Sequence, residues 1–289
     1  MKTPDLMDPM RMPGKTAAPA GAALPLAIDN LQAGYGRHRI LHGVTAAALR
    51  PGTVTALLGP NGSGKSTLLK ALGGLARVSG GRILLGGTDL ARQPPAERAR
   101  HIVYMPQALP RPVHLTVFES VVIAAHAGDR SRRTGAELER IARLLRHLGI
   151  DALAGRHLDE LSGGQRQLAG LAQALARRPR VLLLDEPLSA LDLNYQFHVM
   201  QLLRRETREH GLVTVVVLHD LDSALRHADH ALLLRHGRIL ADGAPHDVIS
   251  PATLAEAYGV RGRVDGHREG SPHVHVEGLV HDRFAVEEV

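Results

Sequence analysis

The sequence contains no cysteine and no tryptophan, and aromatic residues make up 2% of its 289 positions. Without cysteine there are no disulfides and no thiolate metal sites, so nothing in the chain points to an oxidising compartment. So few rings leave no stacking platform for a single-stranded nucleic acid. No stretch approaches the ~18 consecutive apolar residues that a membrane-crossing helix needs. The N-terminus, Met1 to Leu24, is rich in Pro, Ala and Met, but Asp5 and Asp8 stand where an export signal needs an apolar segment. Residues 1–25 therefore read as a disordered lead. The net charge of +6 could suggest nucleic acid or anionic lipid. The arginines, however, are scattered through helix-like segments (Arg98, Arg100, Arg140, Arg143, Arg146, Arg204, Arg205), as on a solvated surface. Only Arg130 to Arg133 forms a short cluster, in a polar stretch that reads as a loop. At 44% apolar and 22% charged residues, the chain is an ordinary globular one, long enough for one large or two small domains.

What is present is organised around Gly59-Pro60-Asn61-Gly62-Ser63-Gly64-Lys65-Ser66-Thr67. An apolar run, Val54 to Leu58, leads in, and a helix-like run, Ser66 to Leu72, leads out. The glycines let successive N–H groups curl around one anion, and the helix adds the positive end of its dipole. Lys65 can reach the outer phosphates of a nucleotide, and Ser66 can place its hydroxyl on Mg²⁺. A chance glycine turn before a lysine would not need strand, glycines, lysine and hydroxyl in this order. The spacing predicts a phosphate-binding loop.

Upstream, Leu26 to about Leu49 alternates apolar and polar residues with a break at Gly34-Tyr35-Gly36, a pattern of antiparallel edge strands. Tyr35 stands between two glycines that strip bulk from around its ring, which could then stack on a base; a turn tyrosine is an equal reading. Downstream come a strand pair near Arg82 to Leu90 and a strand from His101 to Met105, followed by Gln107. From Leu115 to Leu148 the period is helical, with Thr116 and Thr134 as caps and Glu137 as capping-box partner of Thr134. Helices without strands here predict a helical subdomain inserted into an α/β core. Leu161-Ser162-Gly163-Gly164-Gln165 opens another helix, to about Ala176, and its glycine-flanked start can bind an anion. An ordinary capped helix would account for Ser162 and Gln165 but not for the paired glycines.

The run Val181 to Leu184 suits a buried parallel strand and ends in Asp185-Glu186, where open α/β sheets place their ligands. Alternation along a strand sends the two carboxylates apart, one toward a metal. After a helix from Leu193 to about His210, the strand Val213 to Leu218 ends at His219, so acid and histidine are expected to converge above the sheet. Ala231 to Leu240 reads as a hairpin turning at His236-Gly237, and Pro245 to Tyr258 as short helices. His273 and His275 share one face of a strand, with His267 and His281 near in sequence. Among 18 histidines, a chance cluster explains them better than a metal site.

Together these residues resemble the ATP-binding subunit of an ABC transporter over about Leu26 to Val260. Gly59 to Thr67 is similar to that family's Walker A motif, and Gln107 to its Q-loop residue. Leu161 to Gln165 resembles its LSGGQ signature, Val181 to Glu186 its Walker B, Ser189 to Asp192 its D-loop, and His219 its switch histidine. The resemblance implies an α/β P-loop NTPase cassette with a RecA-like core, an antiparallel β subdomain and an inserted helical subdomain at about 108–176. The cassette would occupy 26–260, and a tail would follow at 261–289, with a short strand pair.

The resemblance also implies ATP and Mg²⁺ as ligands. Tyr35 would stack on adenine; Gly59, Asn61, Gly62, Gly64, Lys65, Ser66 and Thr67 would hold phosphates. Ser66, Gln107 and Asp185 would serve the metal, Glu186 would be the base for the attacking water, and His219 would contact the γ-phosphate. Ser162, Gly163, Gly164, Gln165 and Asp192 would complete the site of a second, head-to-tail copy. Implied partners are membrane permeases and, indirectly, a substrate-binding protein, at the cytoplasmic face of the inner membrane. Asp185 to Gln196, and Asp242 to Val260, resemble importers of iron chelates, haem and cobalamin, the siderophore-uptake members most of all. Zinc or manganese, or haem or cobalamin, is the alternative cargo. A soluble ABC protein acting on DNA or the ribosome fits less well, because one cassette is present and only about 55 residues separate Gln107 from Ser162.

Overall fold

The protein is described from a computed structural model over residues 24–127, 134–266 and 272–280. The expected N-terminal lead through Ala23, the Arg130 to Arg133 cluster, His267 and His281 lie outside these residues.

The alternating segment before the phosphate loop forms β1 (Leu26–Tyr35) and β2 (His38–Leu49), an antiparallel pair. The apolar run into the loop is β3 (Thr53–Leu58), and the run out of it is α1 (Lys65–Leu72). Next, β4 (Arg77–Leu85) and the two-residue β5 (Thr88–Asp89) join the first sheet, giving the order β2-β1-β4-β5. The helix α2 (Pro95–His101) then delivers the chain to β6 (Ile102–Met105).

A second sheet carries the core. Its members are β3, β6, β7 (Val181–Leu184), β8 (Val213–Val217), β9 (His230–Arg235) and β10 (Arg238–Gly243), in the order β10-β9-β3-β8-β7-β6. All neighbours are parallel except the β9–β10 hairpin at one edge. Strand alternation divides the sheet's faces. Leu57, Leu183, Val215 and Leu232 pack toward α1 and the antiparallel sheet, while Ala56, Leu182, Leu184 and Val216 pack into the helical side.

The helical side consists of α3 (Val117–Ala125), α4 (Gly135–His147), α5 (Gly163–Ala176) and α6 (Leu193–His210). Thr116 and Glu119 form a reciprocal capping box on α3, and Ser162 and Gln165 form one on α5. The predicted box on α4 is only half made. Thr134 accepts the Glu137 N–H, but the Glu137 carboxylate turns to Arg140 at 2.6 Å. A guanidinium offers it two charge-assisted hydrogen bonds, stronger than one backbone N–H.

Beyond the core, α7 (Leu221–His227), α8 (Pro245–Val248), α9 (Pro251–Thr253) and one π-helical turn (Leu254–Tyr258) lead to β11 (Val260–Asp265). This strand pairs antiparallel with β12 (His273–Leu279), and the Val274 N–H donates to Asp222 of α7 at 2.7 Å. His273 and His275 stand opposite Asp265 and Arg263, so a cation holds the centre of that face. No helix among the described residues is long and apolar enough to cross a membrane.

Candidate active site

The phosphate loop joins β3 to α1 through glycines with left-handed backbone, Gly59 at φ 140, Gly62 at φ 76 and Gly64 at φ 108. Gly59 is fixed by space as well, because a Cβ there would lie 2.1 Å from the Leu234 carbonyl oxygen. Gly64 supplies no side-chain cap to α1, so the first N–H groups of the helix face the loop. The Ser63 hydroxyl is buried without a hydrogen-bond partner, while its carbonyl accepts the Gly237 N–H at 2.9 Å. Lys65 is buried and curls over the loop, Nζ donating to the carbonyls of Gly59 at 2.7 Å and Pro60 at 3.0 Å. Burial holds its ammonium pKa below the usual lysine value, against the opposing pull of Glu186 and Asp185. Thr67 is buried in the first turn, and Asn61 and Gly62 are exposed at the loop's tip.

The carboxylates at the end of β7 part to opposite faces. Asp185 continues the face of Leu183 and is buried, accepting from the Ser66 hydroxyl at 3.1 Å and from the Tyr104 hydroxyl at 3.0 Å. Burial, then the charge of Asp185 and the hydrogen bond to it, push the Tyr104 phenol well above its ordinary pKa, so it stays a donor. Glu186 leaves the strand with left-handed backbone, φ 50, which costs a non-glycine residue energy. Its carboxylate meets His219 Nε2 at 2.5 Å and Gln107 Nε2 at 2.5 Å. A carboxylate only accepts, so the short histidine contact places a proton on Nε2.

The remaining expected residues make no hydrogen bond to this cluster among the described residues. Among the described residues, Ser162, Gly163, Gly164 and Gln165 make no hydrogen bond to the phosphate loop. Gly164 packs against the Ala190 carbonyl, where a Cβ would lie 2.8 Å away. Asp192 caps α6 by accepting the Tyr195 N–H at 2.9 Å. Tyr35 is 46% exposed at the end of β1. Its flanking glycines serve the hairpin rather than the ring. A Cβ on Gly34 would lie 2.0 Å from the His38 carbonyl, and Gly36 makes the turn at φ 57.

Two polar side chains escaped the sequence reading. Tyr104 lay unremarked inside a strand, and its meeting with Asp185 required knowing that β6 and β7 are neighbours. Gln167 is buried on α5, donating to the Glu186 carbonyl at 2.9 Å and accepting the Ala190 N–H at 3.1 Å. It ties the helix that Ser162 caps to the loop that follows Glu186. Nothing in the local sequence marks it, because its partners lie 19 and 23 residues further along the chain.

A glycine-built phosphate loop between strand and helix, a buried aspartate on its serine, and a second carboxylate gripped by histidine and glutamine define a P-loop nucleotide hydrolase. The sequence profile of the ABC transporter family matches residues 43–189. The chain is 36% identical over 235 residues to the ferric enterobactin transport ATP-binding protein of Escherichia coli K12, covering 81% of this chain and 86% of that one. It is 39% identical over 242 residues to a hemin import ATP-binding protein of Jannaschia sp. strain CCS1, covering 81% and 87%. Among solved structures it superposes on an inward-facing metal-chelate type ABC transporter with a TM-score of 0.72 and 27% identity, covering 89% and 98%. The chain belongs to the ABC transporter family, as one of its ATP-hydrolysing cassettes.

Proposed function

We propose that this cassette drives uptake of an iron chelate, of the siderophore or haem type, from the cytoplasmic face of a membrane, docked on permease subunits. The cargo rests on the relatives, which are named for ferric enterobactin and hemin. The catalytic reading rests on one observation: Glu186 lies between His219 and Gln107 at the strand ends beside the phosphate loop.

In this reading the loop N–H groups and Lys65 grip the β- and γ-phosphates of ATP. Tyr35 supports the adenine with its exposed ring. Glu186 takes the proton of the attacking water, and His219 orients that water and the γ-phosphate. The Ser66 hydroxyl and the Asp185 carboxylate it meets fit a small hard cation, and the amide oxygen of Gln107, whose amide N–H is held by Glu186, is the third donor of this reading. They are the residues that would hold Mg²⁺, which would neutralise charge on the phosphates. The Ser63 hydroxyl, buried and unpartnered beside the loop, is a further polar group that suits a phosphate-bearing ligand.

The capped start of α5, with Ser162, Gly163 and Gly164 turned to solvent or to Ala190, is an anion site that its own chain does not use. It serves the nucleotide of a second copy placed head to tail, with Gln165 and Asp192 holding the two segments in shape. The cargo is tested by reconstituting the cassette with candidate permeases and binding proteins. Stimulation of ATPase activity by a ferric siderophore or hemin system supports the assignment, and stimulation only by a zinc or manganese system overturns it.

A further inference from the structure

Asp185 is the most enclosed acid of the site, and each of its oxygens has one hydroxyl partner. Ser66 takes Oδ1 at 3.1 Å, and Tyr104 takes Oδ2 at 3.0 Å. The two hydroxyls come from different elements. Ser66 stands in the first turn of α1, while Tyr104 stands on β6, whose parallel register sets Tyr104 beside Leu183. Strand alternation makes the same face of the sheet carry Tyr104 and Asp185, and α1 packs onto that face. The tyrosine is wedged as well, because a Cβ on Gly73, at the end of α1, would lie 3.3 Å from the Tyr104 Cβ.

A carboxylate with one oxygen tied can no longer rotate freely, so its other oxygen keeps one direction. We propose that Tyr104 is a positioning residue for the nucleotide's cation: its hydroxyl fixes Oδ2 of Asp185 and so aims Oδ1 at the Ser66 side. Tyr104 itself touches neither phosphate nor cation. The inference rests on the Mg²⁺ reading of Ser66 and Asp185 given above, and adds the residue that sets their geometry. A phenylalanine at 104 keeps the ring, the contact with Gly73 and the packing against α1, and deletes only the hydroxyl.

The test compares Tyr104→Phe, Asp185→Asn and the parent protein, using a fluorescent ATP analogue titrated in EDTA and at graded Mg²⁺, alongside ATPase rates at the same Mg²⁺ levels. For Tyr104→Phe the expected result is unchanged affinity in EDTA. The Mg²⁺ concentration for half-maximal tightening should rise by about tenfold, the lower end of what partners of metal ligands contribute. The ATPase half-saturation for Mg²⁺ should rise in parallel. A purely structural tyrosine would lower the melting temperature and leave both Mg²⁺ curves in place, and that result overturns the proposal. If Tyr104→Phe leaves the curves in place while Asp185→Asn displaces them, the positioning role fails and the Mg²⁺ reading stands. If neither variant displaces them, the Mg²⁺ reading itself fails and takes the proposal with it.

Discussion

His219 Nε2 lies 2.5 Å from one oxygen of Glu186, and Gln107 Nε2 lies 2.5 Å from the other. The carboxylate proposed as the base is thus gripped at both oxygens by residues from two other strand ends. Its backbone, at φ 50, also holds it out of the line of β7.

Replacing Glu186 by Gln keeps the shape of the side chain, removes its basicity and leaves it one accepting oxygen in place of two. ATP binding, read by fluorescence titration, should stay within about twofold of the parent. Turnover should fall by about 10²- to 10⁴-fold, the contribution of a positioned general base. A variant that turns over like the parent would remove Glu186 from that role.

Ser162→Ala, made in the Glu186→Gln background, addresses the second copy. It also deletes the cap on α5, which costs about 1 kcal/mol of stability, so folding is checked by melting temperature. The expected outcome on size-exclusion chromatography is loss of the ATP-dependent dimer with nucleotide still bound to the monomer. Dimer formation at the parental ATP concentration would exclude Ser162 from the facing site.

The Glu137–Arg140 pair predicts a pH dependence. Its hydrogen bond to Arg140, first, and then the guanidinium charge hold the Glu137 carboxyl below its ordinary value of 4.5. Because the folded state has the lower pKa, the stabilisation is complete above 4.5 and is lost as pH falls through the folded value. Glu137→Gln should therefore cost about 1 kcal/mol at pH 7, with the difference from the parent shrinking below that window. A difference in thermal unfolding that stayed constant with pH would contradict the charge-based account.

Gly237→Ala should be among the most damaging single methyl additions. The β9–β10 turn has left-handed backbone at His236, φ 46, and at Gly237, φ 70, and a Cβ on Gly237 would lie 1.8 Å from the Ile40 carbonyl. The expected loss is at least about 2 kcal/mol in denaturant unfolding. ATP affinity should weaken with it, because the Gly237 N–H holds the Ser63 carbonyl of the phosphate loop.

The sequence carried the local features well, because each depends on a short spacing. The phosphate loop, the capped starts of α3 and α5, and the His236-Gly237 turn are all written within a few residues. Features made by distant segments were harder to read. Tyr104 meets Asp185 only because β6 and β7 are neighbours in the sheet, and Gln167 gains its role only when α5 packs on the loop after Glu186. Glu137 shows competition deciding a local motif, since Thr134 offered the capping partner and Arg140 took the carboxylate. Gly34 shows a residue read for the clearance it leaves a ring, where the close approach of two backbones sets the requirement.

The Gly237 turn also reaches the antiparallel sheet, its carbonyl accepting the His42 N–H at 2.9 Å while its own N–H holds Ser63 at 2.9 Å. One residue, through the two peptide groups that flank it, therefore braces the anion cradle against a sheet that carries neither Asp185 nor Glu186. The loop is thereby anchored outside its own strand and helix, so a change made in the antiparallel sheet can reach the phosphate cradle without touching either acid.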